Sequence, residues 1–243
     1  MHQPQLFEST QDIYARVFRR LCPRTALPEI VISFKSYCNA NCYIRWKNQR
    51  IEATHADVLM TAPPFVTEAI ASILLARLYK KRVPQEYAEV YRCFMNNPET
   101  RQQIEKLRRE RGVKRMGPSL GDYYDLEQIF DELNRQWFGS ALNRPKLGWT
   151  PKSSRRILGH YDPVHHAIVL SKLLDTPKAS EDLVRYVMFH EMLHIKHPIR
   201  YAQGRRVIHS KDFQDEERSY PNFDVLKEQL RKLCEEPITR RRR

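Results

Sequence analysis

The sequence predicts an α+β protein built from two units that repeat one plan. Three observations predict it. Stretches with apolar residues at helical spacing alternate with short runs rich in β-branched and aromatic residues. Prolines and a glycine-punctuated segment mark off the order helix, strand, hairpin, helix, and then that order begins again. A shift of 114 residues lays part of the second round over the first without a gap.

Residues 10–22 read as a helix with Ile13, Tyr14, Val17, Phe18 and Leu21 on one face, ended by Pro23 and Pro28. Residues 29–34 read as a strand, and 42–46 with 50–54 as a hairpin turning at Lys47-Asn48-Gln49. After Pro63-Pro64, residues 67–80 form a strong helical pattern, and 85–95 and 98–111 continue helical. Residues 112–121 are the expected linker. Residues 125–138 are again a helix, with Leu126, Ile129, Phe130, Leu133 and Trp137 facing in. Residues 146–150 are a strand, and 156–161 and 167–170 flank the turn Asp162-Pro163-Val164-His165. A last strong helix follows Pro177 and stops at Pro198.

The 114-residue shift sets Asp57 to Pro63 over Ser171 to Pro177, and Ala69 to Leu75 over Leu183 to Phe189. It then places Ala76, Arg77 and Lys80 where the second round has His190, Glu191 and His194. The expected organisation is therefore a degenerate, metal-free copy over 1–111, the linker 112–121, an intact copy over 122–236 and a basic tail over 237–243. Two α+β units obeying the same folding rules could also look alike without common descent; the ungapped match around both proline breaks favours duplication.

The run Leu183 to His194 carries the chemistry. It follows Ser180-Glu181-Asp182, a helix cap with acids in the first turn. His190 and His194 are four residues apart, so both imidazoles leave one helical face and can share a metal ion. Glu191 lies beside them without being a ligand. A metal there lowers the pKa of a water and the carboxylate takes the proton, as in zinc peptidases. The bland alternative is two histidines that cap or line a core. In so apolar a helix that arrangement is costly without a purpose.

Catalytic zinc takes three protein ligands. His197 lies about 10 Å further along the helix axis than His190, too far to converge. His209, after the basic loop 200–208, is the better third ligand, with Glu216 or Glu217 in reserve. His160, His165 and His166 read as exposed hairpin residues, and the hairpin edge as a place for an extended substrate to add as a strand. Tyr220 and Arg218 are candidates for oxyanion support.

The chain of 243 residues carries a net charge of +13, which favours a polyanionic partner, and nucleic acid is the commonest one. Arg155, Arg156, Arg205 and Arg206 are the candidate nucleic-acid contacts. The alternative is a solvated basic surface. Five cysteines, an odd number, point to reduced thiols. No apolar run is long enough for a membrane span, and Met1 to Gln5 lack a signal-peptide pattern, so the expected location is cytoplasmic.

From about Leu126 to Phe223 the chain resembles the SprT-like metallopeptidase domain, the family that includes the Spartan DNA–protein-crosslink protease. The residues that carry the resemblance are Leu133 to Phe138, Leu147-Gly148-Trp149-Thr150, Gly159-His160-Tyr161, Ile168 to Leu174, His190-Glu191-Met192-Leu193-His194 and His209-Ser210-Lys211-Asp212-Phe213, with Ser210 where the family usually has Gly. The resemblance implies a zincin-like fold with a small antiparallel sheet, zinc held by His190, His194 and His209, Glu191 as catalytic base, and hydrolysis of protein or peptide substrates, including proteins bound to DNA. The four-cysteine zinc ribbon that follows many such domains is missing, since only Cys234 lies downstream. The competing expectation is a basic nucleic-acid-binding protein whose zinc is structural or vestigial, its fourth position closed by Glu216 or His197.

Overall fold

The computed structural model describes residues 8–113, 115–202 and 205–235. The tail expected over 237–243 lies outside them. The chain divides into two α+β units at Gly112 and Val113.

In the first unit, α1 (Thr10–Leu21) begins with a capping box. The Ser9 side chain accepts from the Asp12 amide while the Asp12 carboxylate takes the Ser9 N–H. Ile13, Tyr14, Val17 and Phe18 form its buried face, as their spacing predicts. β1 (Glu29–Lys35), β2 (Cys42–Lys47) and β3 (Arg50–Ala56) make a sheet of order β1-β3-β2. Asn48 and Gln49 both have positive φ, which fits a two-residue hairpin loop between β2 and β3. α2 (Pro64–Leu78) is apolar nearly all round and buried from Val66 through Ala76 except Glu68, which makes it the central helix of this unit. α3 (Gln85–Asn96) and α4 (Pro98–Arg111) complete it.

In the second unit, α5 (Leu126–Phe138) is capped by Asp125 and ends at Gly139, whose φ of 56° lets its N–H turn back to the Asn134 carbonyl. β4 (Lys146–Trp149), β5 (Gly159–Asp162) and β6 (Ala167–Leu170) form a sheet of order β4-β6-β5. α6 (Glu181–Lys196) crosses the core. A small hairpin, β7 (Arg200–Ala202) with β8 (Arg205–Val207), then leads to α7 (Lys211–Arg218) and α8 (Phe223–Glu235). Phe130, Leu133, Ile168, Leu170, Met188 and Phe189 are among the residues fully enclosed between α5, the sheet and α6.

Two expectations need correction. The sheet is mixed, not antiparallel: β5 and β6 are an antiparallel hairpin, but β4 pairs with β6 in parallel. Local turn chemistry announces a hairpin, whereas nothing local announces which strand β4 will neighbour. The segment expected as a linker is partly built into the second unit. Gly117 N–H donates to the Trp149 carbonyl at 2.8 Å, Trp149 N–H to the Pro118 carbonyl at 3.3 Å, and the Trp149 indole to the Ser119 carbonyl at 3.1 Å. Gly148 permits this approach, since a Cβ there would overlap the Gly117 carbonyl.

The two sheets share more than their order. Lys35 pairs with Ala56 and Trp149 with Leu170. Adding 114 to each residue of the first pair gives the second. The hairpins differ in length, with Lys47 opposite Arg50 in one and Asp162 opposite Ala167 in the other. No described helix is long and apolar enough to cross a membrane. The five cysteines are all free thiols.

Candidate metal centre

α6 starts where the sequence says it should. The Ser180 hydroxyl accepts from the Leu183 amide at 3.3 Å, with Glu181 and Asp182 in the first turn. The helix buries Val184, Val187, Met188 and Met192 and leaves His190 and His194 half-buried on one face. Their rings stand 5.1 Å apart. The hairpin β7–β8 returns the chain so that His209, just before the Ser210 cap of α7, meets them, its ring 5.2 Å from His190 and 5.0 Å from His194. Phe213 lies against all three rings, 4.7 to 5.2 Å away, as an apolar wall.

One nitrogen from each imidazole lies within 4.8 Å of the others, so the group can hold a metal ion. His194 Nε2 and His209 Nε2 are 3.4 Å apart. Zinc–nitrogen bonds of about 2.0–2.1 Å at the tetrahedral angle place two nitrogens about 3.3–3.4 Å apart, the spacing of the His194–His209 pair. Burial, and then the neighbouring His190, His209 and His160, push His194 down to about 3. His209 is lowered chiefly by burial as well. Both are therefore neutral at pH 7, the form that binds a metal.

Glu217, held in reserve as a ligand, has a different place. Its Oε1 lies 2.8 Å from His190 Nδ1 and accepts from the Tyr186 hydroxyl at 2.6 Å, with Lys227 Nζ at 3.4 Å. Burial pushes this carboxyl up, but the His190 and Tyr186 bonds overcome it and hold it near 2. A carboxylate on Nδ1 leaves His190 Nε2 for the ion. Glu216, one residue earlier and about 100° round the helix, bonds His197 Nε2 at 2.7 Å and Lys196 at 2.5 Å. Neither Glu216 nor His197 joins the three-histidine group.

Glu191 is buried, and its Oε2 accepts from the Tyr161 amide on β5 at 2.7 Å. The strand edge expected to take a substrate thus already uses one of its amides. The hairpin histidines are not all idle: His165 Nδ1 is 3.1 Å from Asp162, and His166 lies 3.2 Å from both the Tyr161 hydroxyl and the Asn143 carbonyl. Tyr220 is packed among Trp137, Tyr186 and Phe189, and Arg218 is exposed. Of the candidate nucleic-acid contacts, Arg155 is half-buried with its Nε enclosed, whereas Arg156 and Arg206 are exposed. The Arg205 side chain is outside the described residues.

Sequence reasoning named the three histidines and Glu191, but not the contact of Glu217 with His190. The signal for Glu217 was available as helical phase: an acid four residues after Phe213 lies on the same face of α7. Comparison with known protein families, curated proteins and solved structures yields no match to this chain.

Proposed function

We propose that the second unit is a zincin-like, SprT-like zinc peptidase that hydrolyses protein substrates, and that His190, His194 and His209 are its zinc ligands. The observation that carries this reading is the convergence of those three imidazoles beside a buried glutamate, with Glu217 behind His190. Zinc in that cradle supplies Lewis-acid polarisation of a water and of the scissile carbonyl. Glu191 takes the proton from the attacking water and returns it to the leaving amine. The Tyr161 amide bonds Glu191 Oε2 at 2.7 Å and so holds the carboxylate in place. The net charge of +13 supports substrates bound to DNA. The pairing of Glu216 with His197 supports an open coordination position over the closed, structural site of the competing reading.

The test is metal content beside activity. Wild type should carry one zinc per chain and His209→Ala less, and wild type should cut casein or histones, faster with single-stranded DNA. Glu191→Gln should keep zinc while the rate falls by about 10²–10⁴-fold. Zinc without cleavage under any condition would move the assignment to the nucleic-acid-binding reading.

A further inference from the structure

We propose that Gly159 is a positioning residue for Glu191: the open edge of β5 forms a seat, with no side chain at 159 and the Tyr161 amide as its anchor, that fixes where the carboxylate lies. The proposal rests on Glu191 being the base.

Ser171 N–H donates to the Leu158 carbonyl at 2.7 Å. In an antiparallel ladder bonded pairs alternate, so residues 158, 160 and 162 face β6 and the amides of 159 and 161 face the open edge. There the Tyr161 N–H meets Glu191 Oε2 at 2.7 Å. Two residues earlier, a Cβ on Gly159 would stand 2.5 Å from Oε1, 2.8 Å from Cγ and 3.0 Å from Cδ of Glu191. The Glu191 side chain therefore fills the space that a Cβ at position 159 would need. Gly159 is not among the positive-φ residues. Space, not backbone conformation, requires glycine here.

Gly159→Ala should keep one zinc per chain and unchanged KM while kcat falls at least about 30-fold, in the range lost when a catalytic group is misplaced. Hydrogen exchange at the Tyr161 amide of the zinc-free protein should rise about tenfold or more in Gly159→Ala and in Glu191→Ala, and no further in the double variant, since one contact is lost once. Wild-type kcat together with wild-type Tyr161 protection in Gly159→Ala would overturn the proposal, as would additive exchange in the double variant. If Gly159→Ala is unstable, adding Glu191→Ala should restore stability by vacating the space; instability that persists overturns it. Absence of hydrolysis by wild type removes the peptidase reading, and the exchange experiment still decides whether the seat exists.

Discussion

Each unit sets an imidazole near a tyrosine hydroxyl, buried in the first unit and half-buried in the second, and only the second arrangement is suited to a metal. In the first unit Tyr14 bonds His55 Nε2 directly at 2.8 Å, and His55 is 1% exposed. Burial alone pushes it down to about 4. In the second, Tyr186 reaches His190 through Glu217. The inserted carboxylate takes Nδ1 and leaves Nε2 facing outward beside two further histidines. His55 is the one histidine among the described residues of its unit. The contrast shows that the site is made by what stands behind the first histidine and what meets it in front. A buried imidazole by itself only fills a core.

The sharpest way to break this comparison is to write the motif into the first unit. His194→Ala should take zinc from one per chain to none. Ala76→His, Arg77→Glu and Lys80→His together should restore nothing in that background. α2 ends at Leu78, Lys80 has a φ of 52°, and Ala76 is fully buried, so positions 76 and 80 do not share an exposed helical face. A second zinc in the metal analysis would show that spacing alone suffices.

Much of this was legible in the sequence because it is local. Apolar periodicity placed α1, α5 and α6, the proline breaks placed the starts of the long helices, and four-residue spacing put His190 and His194 on one face. What was not legible is long-range. The parallel pairings Lys35–Ala56 and Trp149–Leu170 have no turn signal. Adjacent Glu216 and Glu217 look alike in sequence, but one helical step separates a carboxylate behind a metal ligand from one bound to His197 and Lys196. The basic loop after α6 proved to be a hairpin, and that hairpin is what returns His209.

The next largest expected effect concerns Asp175, which has no counterpart in the first unit because Thr61 holds the shifted position. Its enclosed carboxylate accepts from the amides of Asp122, Tyr123 and Tyr124 at 2.6 to 3.3 Å and pairs with Lys172 at 2.5 Å. Burial raises this group, but Lys172 and those amides hold it below the usual carboxylate range. Asp175→Ala takes the acceptor from all three amides, while Lys172 keeps Asp122 at 3.0 Å, and should cost about 3–5 kcal/mol. Urea unfolding in a Trp46→Phe background, where fluorescence reports only Trp137 and Trp149, should show the second unit melting early. An unchanged midpoint would remove Asp175 as the tie between the segment before α5 and the turn after β6.

Acid should act on the first unit through His55. Its folded pKa is lowered from 6.5 to about 4, so the unfolded chain binds the extra proton between those values. The stability tied to neutral His55 is complete above pH 6.5 and is lost as pH falls towards 4, about 3 kcal/mol in all. His55→Gln, which keeps a polar partner for Tyr14, should flatten that window in urea midpoints followed by peptide hydrogen exchange. A window of the same depth in the variant would assign the acid response to other groups.

Glu217→Gln is expected to be the mildest of these changes and the most specific. An amide oxygen can still accept from Tyr186 or from His190 Nδ1, but it carries no charge to hold the imidazole's tautomer and raise its basicity. Loss of such a partner behind a ligand weakens metal binding about 10–100-fold, or about 1.4–2.7 kcal/mol. Glu216→Gln on the next residue is the matched control. It touches His197 and Lys196 instead, and zinc affinity should stay within about twofold of wild type. Equal losses in the two variants, measured by competition with a chelator, would mean that α7 supports the site only by its packing. A loss confined to Glu217 would show that the carboxylate behind His190, where the first unit has Tyr14 directly on His55, strengthens the site beyond its three imidazoles.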